Sequence, residues 1–257
     1  MTTESSAAPR DVVLRVDGLS KRYGQFAAIK NVSFAVHKST VHAFIGPNGA
    51  GKTTLFHCIT GILRPTSGSI TLNGSEITHL QANLRSRMGL GRSFQITSIF
   101  PALSVFENVR LAAQARSWLR AFDFLSDVSR LHKSSSKTEE LLVKLNLQGS
   151  SGDIAGTLSH GQQRRLEVAM ALAGDPSILL LDEPTAGMGV DDIEHMAQLI
   201  RSLAAEITVV LVEHNIPLIL SVSDVVTVMN YGEVLTQGPP SMVTADEKVR
   251  ERYLGAA

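Results

Sequence analysis

The sequence predicts an α/β fold in which a mostly parallel sheet carries an inserted helical subdomain. Three observations predict it. Short β-branched runs alternate with stretches of helical spacing, the pattern of strands joined by crossover helices. One such run, Val41 to Ile45, leads straight into the glycine-rich turn Gly46-Pro47-Asn48-Gly49-Ala50-Gly51-Lys52-Thr53-Thr54. From about residue 97 to 160 the strand patterns fade, and apolar residues fall at helical spacing instead.

The elements follow in order. Val12 to Val16, Val32 to Val36 and Val41 to Ile45 read as strands, being short, β-branched and broken by turns. After the glycine-rich turn a helix is expected to carry Leu55, Ile59 and Ile62 inward. Gly68 to Leu72 reads as a strand, and Asn73-Gly74 as a hairpin turn. Val105, Val109 and Ala112 predict one helix, and Leu141, Leu142 and Leu145 another, with Ser134-Ser135-Ser136-Lys137 as a loop between them. Ile178 to Leu181 is a continuous apolar run, as a buried parallel strand requires, and Thr208 to Val212 and Val225 to Met229 are two more. No internal repeat is visible.

Composition narrows the function. A length of 257 residues suits one α/β domain with a subdomain. Lys+Arg and Asp+Glu are both 24, so the basic excess of a nucleic-acid binder is missing. Cys58 is the single cysteine, which rules out an intrachain disulfide, agrees with a reducing compartment, and reads as a small apolar core residue. No apolar stretch reaches the roughly 18 residues of a membrane span. Residues 1–10, Met1 to Arg10, lack the apolar region of a secretory signal and read as a disordered tail, leaving 11–257 as a single domain. Any membrane role is expected to come through a partner.

Gly46 to Thr53 fits G-x-x-x-x-G-K-[ST] at every fixed position. Gly49 and Gly51 allow a tight turn whose successive N–H groups point at phosphate oxygens. The helix beginning near Lys52 adds the positive end of its dipole. In a P-loop (RecA-like) NTPase core, Lys52 reaches the β- and γ-phosphates and the Thr53 hydroxyl ligates Mg²⁺. The strand Ile178 to Leu181 ends in Asp182 and Glu183. Asp182, at the strand's C-terminal edge, suits Mg²⁺, and Glu183 suits a base that polarises water for attack on the γ-phosphate. A chance glycine turn and a solvated acidic strand end are the bland alternatives. A small-molecule phosphotransferase also uses such a loop.

Leu158-Ser159-His160-Gly161-Gln162-Gln163-Arg164-Arg165 resembles the LSGGQ signature of ABC ATPases, with His160 replacing the first glycine of the pair. Taken alone it reads as Ser159 capping a helix through Leu166 and Ala171. The two readings agree, because a helix N-terminus with a serine hydroxyl also receives a phosphate. The resemblance covers the chain from about residue 12 onward. It implies the ABC ATPase type of core, with an antiparallel β subdomain beside the helical insert. It also implies that Ser159, His160, Gly161 and Gln162 act in trans on ATP held by a second subunit, either a copy or a paralogue. Tyr23 matches the aromatic that stacks on adenine. Gln95, in Ser93-Phe94-Gln95, matches the glutamine that contacts Mg²⁺. His214 matches the switch histidine that, with Lys52, stabilises γ-phosphate charge. The loop after Glu183 departs from the family pattern: Gly189 stands where an acid or Asn is usual, although Asp191 and Asp192 follow.

Within that family, Gly91-Arg92-Ser93-Phe94-Gln95, Phe100 to Val109, Glu213-His214-Asn215 and Glu251-Arg252-Tyr253-Leu254-Gly255 resemble the ATPases of branched-chain amino acid uptake. Urea or amide importers rank second and lipopolysaccharide-type exporters third. The resemblance implies integral membrane permease subunits, a solute-binding protein in the complete system, and a peripheral place on the cytoplasmic face. It also implies that Ile99, Phe100 and Phe106 line the groove for a coupling helix of the permease. A soluble ABC ATPase of DNA repair or translation is a rival, opposed by zero net charge, a single cassette and the absence of a heptad run. A degenerate subunit that binds ATP without turnover is opposed by Glu183 and His214.

Overall fold

The computed structural model describes residues 11–93, 99–115 and 127–251, the side chains of residues 127–132 and 248 excepted. Two sheets organise these residues. The first is antiparallel, in the order β2-β1-β4-β5, built from β1 (Val12–Tyr23), β2 (Phe26–His37), β4 (Ser67–Leu72) and β5 (Ser75–Glu76). The second, in the order β10-β9-β3-β8-β7-β6, comprises β3 (Val41–Ile45), β6 (Leu90–Arg92), β7 (Ile178–Asp182), β8 (Thr208–Val212), β9 (Val225–Asn230) and β10 (Glu233–Gly238). It is parallel except for the β9–β10 hairpin.

Both faces of the parallel sheet are covered, which explains its continuous apolar strands. Along β7, Leu179 and Leu181 enter one core cluster, and Ile178 and Leu180 the other. The first cluster joins the sheet to α3 (Val105–Ala115), α4 (Asp127–Lys144), α5 (His160–Leu172) and α6 (Val190–Ala204) through Val105, Leu142, Leu166 and Ile200. The second packs α1 (Lys52–Thr60) between the two sheets through Leu55, Phe56 and Ile59. Cys58 is buried there, and burial pushes its thiol up to about 11.

Two local expectations are corrected. Ser134 to Lys137 is not a loop but lies inside α4. The Thr138 hydroxyl donates to the Ser134 carbonyl at 2.8 Å, one turn back, so a polar side chain is accommodated within the helix. Lys137 also ties the helix to Asp175 at 3.4 Å. Ile62 does not point inward and is 49% exposed, because α1 ends at Thr60 and Gly61 (φ 80°) turns the chain out of helical phase. The Asn73-Gly74 turn does join β4 to β5, pairing Leu72 with Ser75. Residues 1–10, and the Arg252 to Gly255 stretch, lie outside the described residues.

Three short helices complete the described fold: α2 (Ala82–Arg87), α7 (Ile216–Val222) and α8 (Pro240–Ala245), with a single turn, α9 (Glu247–Val249), after them. Arg85 on α2 is 1% exposed. It donates to the carbonyls of Cys58 and Ile59 at 2.6 Å each, and of Thr78 and Leu80 at 2.9 Å each. Its charge therefore sits at the negative end of α1, where a cation is favoured. This fixes the far end of the helix whose N-terminus follows the glycine-rich turn.

Candidate functional site

The strands β3, β8 and β7 are neighbours and parallel, so their C-terminal ends share one edge. The glycine-rich loop leaves β3, Asp182 ends β7 with Glu183 directly after it, and His214 follows β8. Ligands bind in such a crevice beyond the carboxyl ends of parallel strands. Here one pocket of about 310 Å³ is lined by Asn48 to Thr54 together with Glu183 and His214.

Glycine is required by close packing at the loop's two ends. Gly46 has φ 149°, and a Cβ there would sit 2.2 Å from the Met229 carbonyl oxygen. Gly51 has φ 100°, and a Cβ there would sit 2.6 Å from the Ala28 carbonyl oxygen. The Ala50 N–H donates to the Pro47 carbonyl at 3.1 Å, and the Gly232 N–H to the Ala50 carbonyl at 3.0 Å. Gly51 caps α1 without a side-chain hydrogen bond, and no acid lies in the first turn. The helix thus presents unsatisfied N–H groups and its positive dipole end, the requirements of an anion site.

Lys52 is 6% exposed and donates to the Gly46 carbonyl at 2.6 Å and the Pro47 carbonyl at 3.1 Å. Burial lowers its pKa, while the nearby Glu183 and Asp182 carboxylates act in the opposite direction. The ammonium is thus folded against its own loop, where a phosphate oxygen can replace those carbonyls.

Asp182 is 1% exposed. Its Oδ2 accepts from Arg92 at 3.3 Å, whereas its Oδ1 is buried with no hydrogen-bond partner. Burial raises its pKa against the opposing Arg92 charge. An orphaned buried carboxylate oxygen beside a phosphate cradle fits a cation. Mg²⁺ characteristically takes one or two protein ligands and substrate phosphates, and the Thr53 hydroxyl lines the same pocket. Gln95 lies outside the described residues.

Glu183 adopts φ 49°, a left-handed backbone that a non-glycine residue occupies at a cost. Its N–H donates to the Val212 carbonyl at 2.9 Å. The turn re-aims its side chain, and Oε1 lies 2.8 Å from His214 Nε2. No sequence pattern announced this backbone.

The adenine-stacking candidate, Tyr23, is 48% exposed and lies under the Lys21 ammonium at 5.1 Å from the ring centroid. The aromatic that lines the pocket is Phe26, which pairs with Tyr23 across the hairpin turn and is 66% exposed. Sequence reasoning missed it; its apolar ring beside the turn was the available signal. Phe26, Ala28 and Gly49 also border an adjoining hollow of about 680 Å³, reaching Arg22, Lys30 and Tyr231.

The signature segment lies elsewhere. Ser159, His160, Gly161 and Gln162 do not line the phosphate pocket. Ser159 caps α5, accepting from the Gln162 N–H at 3.3 Å while the Gln162 Oε1 accepts from the Ser159 N–H at 3.0 Å. The hydroxyl accepts in this box, so its own O–H is left to donate. Gly161 meets Asp192 of α6: a Cβ on it would sit 2.7 Å from the Asp192 carboxylate. Asp192 also faces Arg165 at 3.7 Å, which ties it to the signature helix of its own chain. Gly189 caps α6 with an extended backbone and no side-chain bond.

Comparison with known proteins decides the family. Residues 29–186 match the ABC transporter family. The chain belongs to that family. It is similar to the high-affinity branched-chain amino acid transport ATP-binding protein BraF of Pseudomonas aeruginosa, with 37% identity over 95% of this chain and 98% of that one. It is also similar to the lipopolysaccharide export system ATP-binding protein LptB of Acidithiobacillus ferridurans, with 36% identity over 95% and 97%. Among solved structures, an ATP-binding cassette of an ABC transporter superposes with TM-score 0.83 at 28% identity, covering 95% of this chain and all of that one. A dimeric cassette in a post-hydrolysis state bound to ADP and Pi superposes with TM-score 0.75 at 26% identity, covering 88% and 98%. As an ABC ATPase, the chain is an ATP-hydrolysing subunit of a transporter. No helix among its described residues is long and apolar enough to cross a membrane.

Proposed function

We propose that this subunit powers import of branched-chain or other hydrophobic amino acids, by ATP-driven closure of two cassettes against membrane permease subunits. The observation that carries the catalytic part is the pocket that unites Asn48 to Thr54 with Glu183 and His214. The substrate class is supported by BraF and by the LivG proteins at 34% identity. A second reading, lipopolysaccharide export, has the LptB likeness in its favour.

ATP enters with its phosphates on the loop N–H groups, the start of α1 and Lys52. Phe26 and Tyr23 flank the base. Asp182, Thr53 and Gln95 would hold Mg²⁺, which supplies charge neutralisation at the β- and γ-oxygens. Glu183 takes a proton from the attacking water, and His214 holds Glu183 in place and faces the γ-phosphate. The Ser159 hydroxyl and the Gly161 N–H of a second subunit donate to the same phosphate. The partner is a copy or a paralogue. Closure draws the segment 97–160 toward the partner, and with it the permease seated on the cytoplasmic side. Phe100 is 51% exposed and available for such a contact, whereas Ile99 and Phe106 pack partly into the core. A solute-binding protein completes the system, and nucleic acid has no place in it.

The test is transport. Co-expressed with its permease and binding protein in vesicles, wild type should drive ATP-dependent uptake of labelled leucine, and Glu183→Gln should not. ATP-dependent extraction of lipopolysaccharide from the vesicle membrane, with no leucine uptake, would overturn the import reading.

A further inference from the structure

We infer that Glu213 is a positioning residue that holds the switch histidine and the catalytic carboxylate in register, an inference resting on the roles proposed above for Glu183 and His214. Glu213 is the first residue after β8 and is 3% exposed. A buried carboxylate must be satisfied, and it forms no ion pair among the described residues. It accepts four hydrogen bonds instead. Oε1 takes the Thr185 N–H at 3.0 Å and the Thr185 hydroxyl. Oε2 takes the N–H groups of His214 at 2.7 Å and Asn215 at 3.2 Å.

These bonds join two loops that are distant in sequence. Thr185 lies two residues past Glu183 on the loop after β7, and His214 lies on the loop after β8. The ring closes where His214 Nε2 meets Glu183 Oε1 at 2.8 Å. Glu183 has a left-handed backbone that local preference does not favour, so a nearby anchor is needed to hold it. Asn215 in turn caps α7, its Oδ1 accepting from the Leu218 N–H at 3.0 Å. One carboxylate therefore sets the backbone on both sides of the His214–Glu183 pair. Glu213 does not line the phosphate pocket, so it acts on turnover rather than on nucleotide binding.

Glu213→Gln keeps the shape but replaces one acceptor with an NH₂ donor. Whichever way the amide turns, one loop loses its acceptor and faces a donor. The experiment measures turnover by the full-length protein, affinity for a fluorescent ATP analogue, and Tm. Glu213→Gln should lower kcat about tenfold while the analogue Kd stays within about threefold of wild type. Combined with His214→Ala it should cost nothing further, because both changes disable one unit. Multiplicative losses, or a Kd that rises in step with the fall in kcat, would overturn the inference. Slowed His214→Ala beside unaffected Glu213→Gln would overturn it alone. Wild-type turnover in His214→Ala would sink the site reading, and this inference with it. Should Glu213→Gln fail to fold, Thr185→Val removes only the hydroxyl bond. A kcat about threefold lower at unchanged Kd supports the bracket, and unchanged kcat contradicts it.

Discussion

The phosphate loop and the signature segment are both helix N-termini, yet they are finished differently. Helix α1 begins at Gly51 with no side-chain cap, inside a pocket that already holds Lys52, Glu183 and His214. Helix α5 begins at an exposed Ser159, closed by a reciprocal box with Gln162, outside that pocket. The first is left open for a ligand that its own chain surrounds. The second is held in shape without a ligand, its exposed hydroxyl accepting within the box and keeping its own proton to donate. That contrast is what a site shared between two molecules requires: one half binds, and the other half must stay ordered until it is met.

The largest effect breaks the first half. Glu183→Gln should reduce ATP turnover by about 10²–10⁴-fold, the share of a general base, while leaving nucleotide affinity intact. Its ATP-bound form should run as a dimer in size-exclusion chromatography with light scattering. Next in size is the clamp behind α1. Arg85→Met would remove the guanidinium's hydrogen bonds to four carbonyls at the end of α1 and its neighbouring loop and should cost about 3 kcal/mol, read as a lower denaturation midpoint.

His42 tests the core beneath the loop through pH. It stands on β3 at 1% exposure, with Nε2 2.7 Å from the Thr227 hydroxyl, and burial depresses its pKa to about 3. The unfolded imidazole titrates near 6.5, so between these values only the unfolded chain takes the proton. Stability from this group is complete above the unfolded value and is lost as pH falls toward the folded one, by about 1.4 kcal/mol per pH unit. His42→Gln should flatten that part of the pH–stability curve. The smallest effect sharpens the second half: Ser159→Ala removes the cap of α5 and should cost about 1 kcal/mol of stability. It should slow turnover far more than that loss explains if, as proposed, the same hydroxyl serves a partner subunit's phosphate.

How much of this was legible in the sequence depends on how local each feature is. The strand-to-loop-to-helix step at Ile45 to Thr54, the capping of α5 by Ser159 and the buried runs of β7, β8 and β9 follow from neighbours in sequence, and pattern reveals them. Ser134 to Lys137 reads as a loop because serine is a poor helix former, but burial of Ser134 and Thr138 against the rest of the molecule and the Lys137–Asp175 pair outweigh that preference. The long β1 and β2 strands were only partly visible, since bulges interrupt their alternation. Phe26 beside the loop, Arg92 on Asp182, the turned backbone of Glu183 and the Glu213 bracket arise from residues far apart in the chain, which no local period encodes.

The most direct measurement is complementation. Glu183→Gln and Ser159→Arg subunits, each inactive alone, are mixed in equal amounts and their ATP turnover is followed. In a composite dimer the wild-type pocket of one subunit meets the wild-type signature of the other, so the mixture should recover about a quarter of wild-type turnover from mixing statistics alone. A mixture as inactive as its two components would contradict the claim that the signature of one subunit completes the site of another.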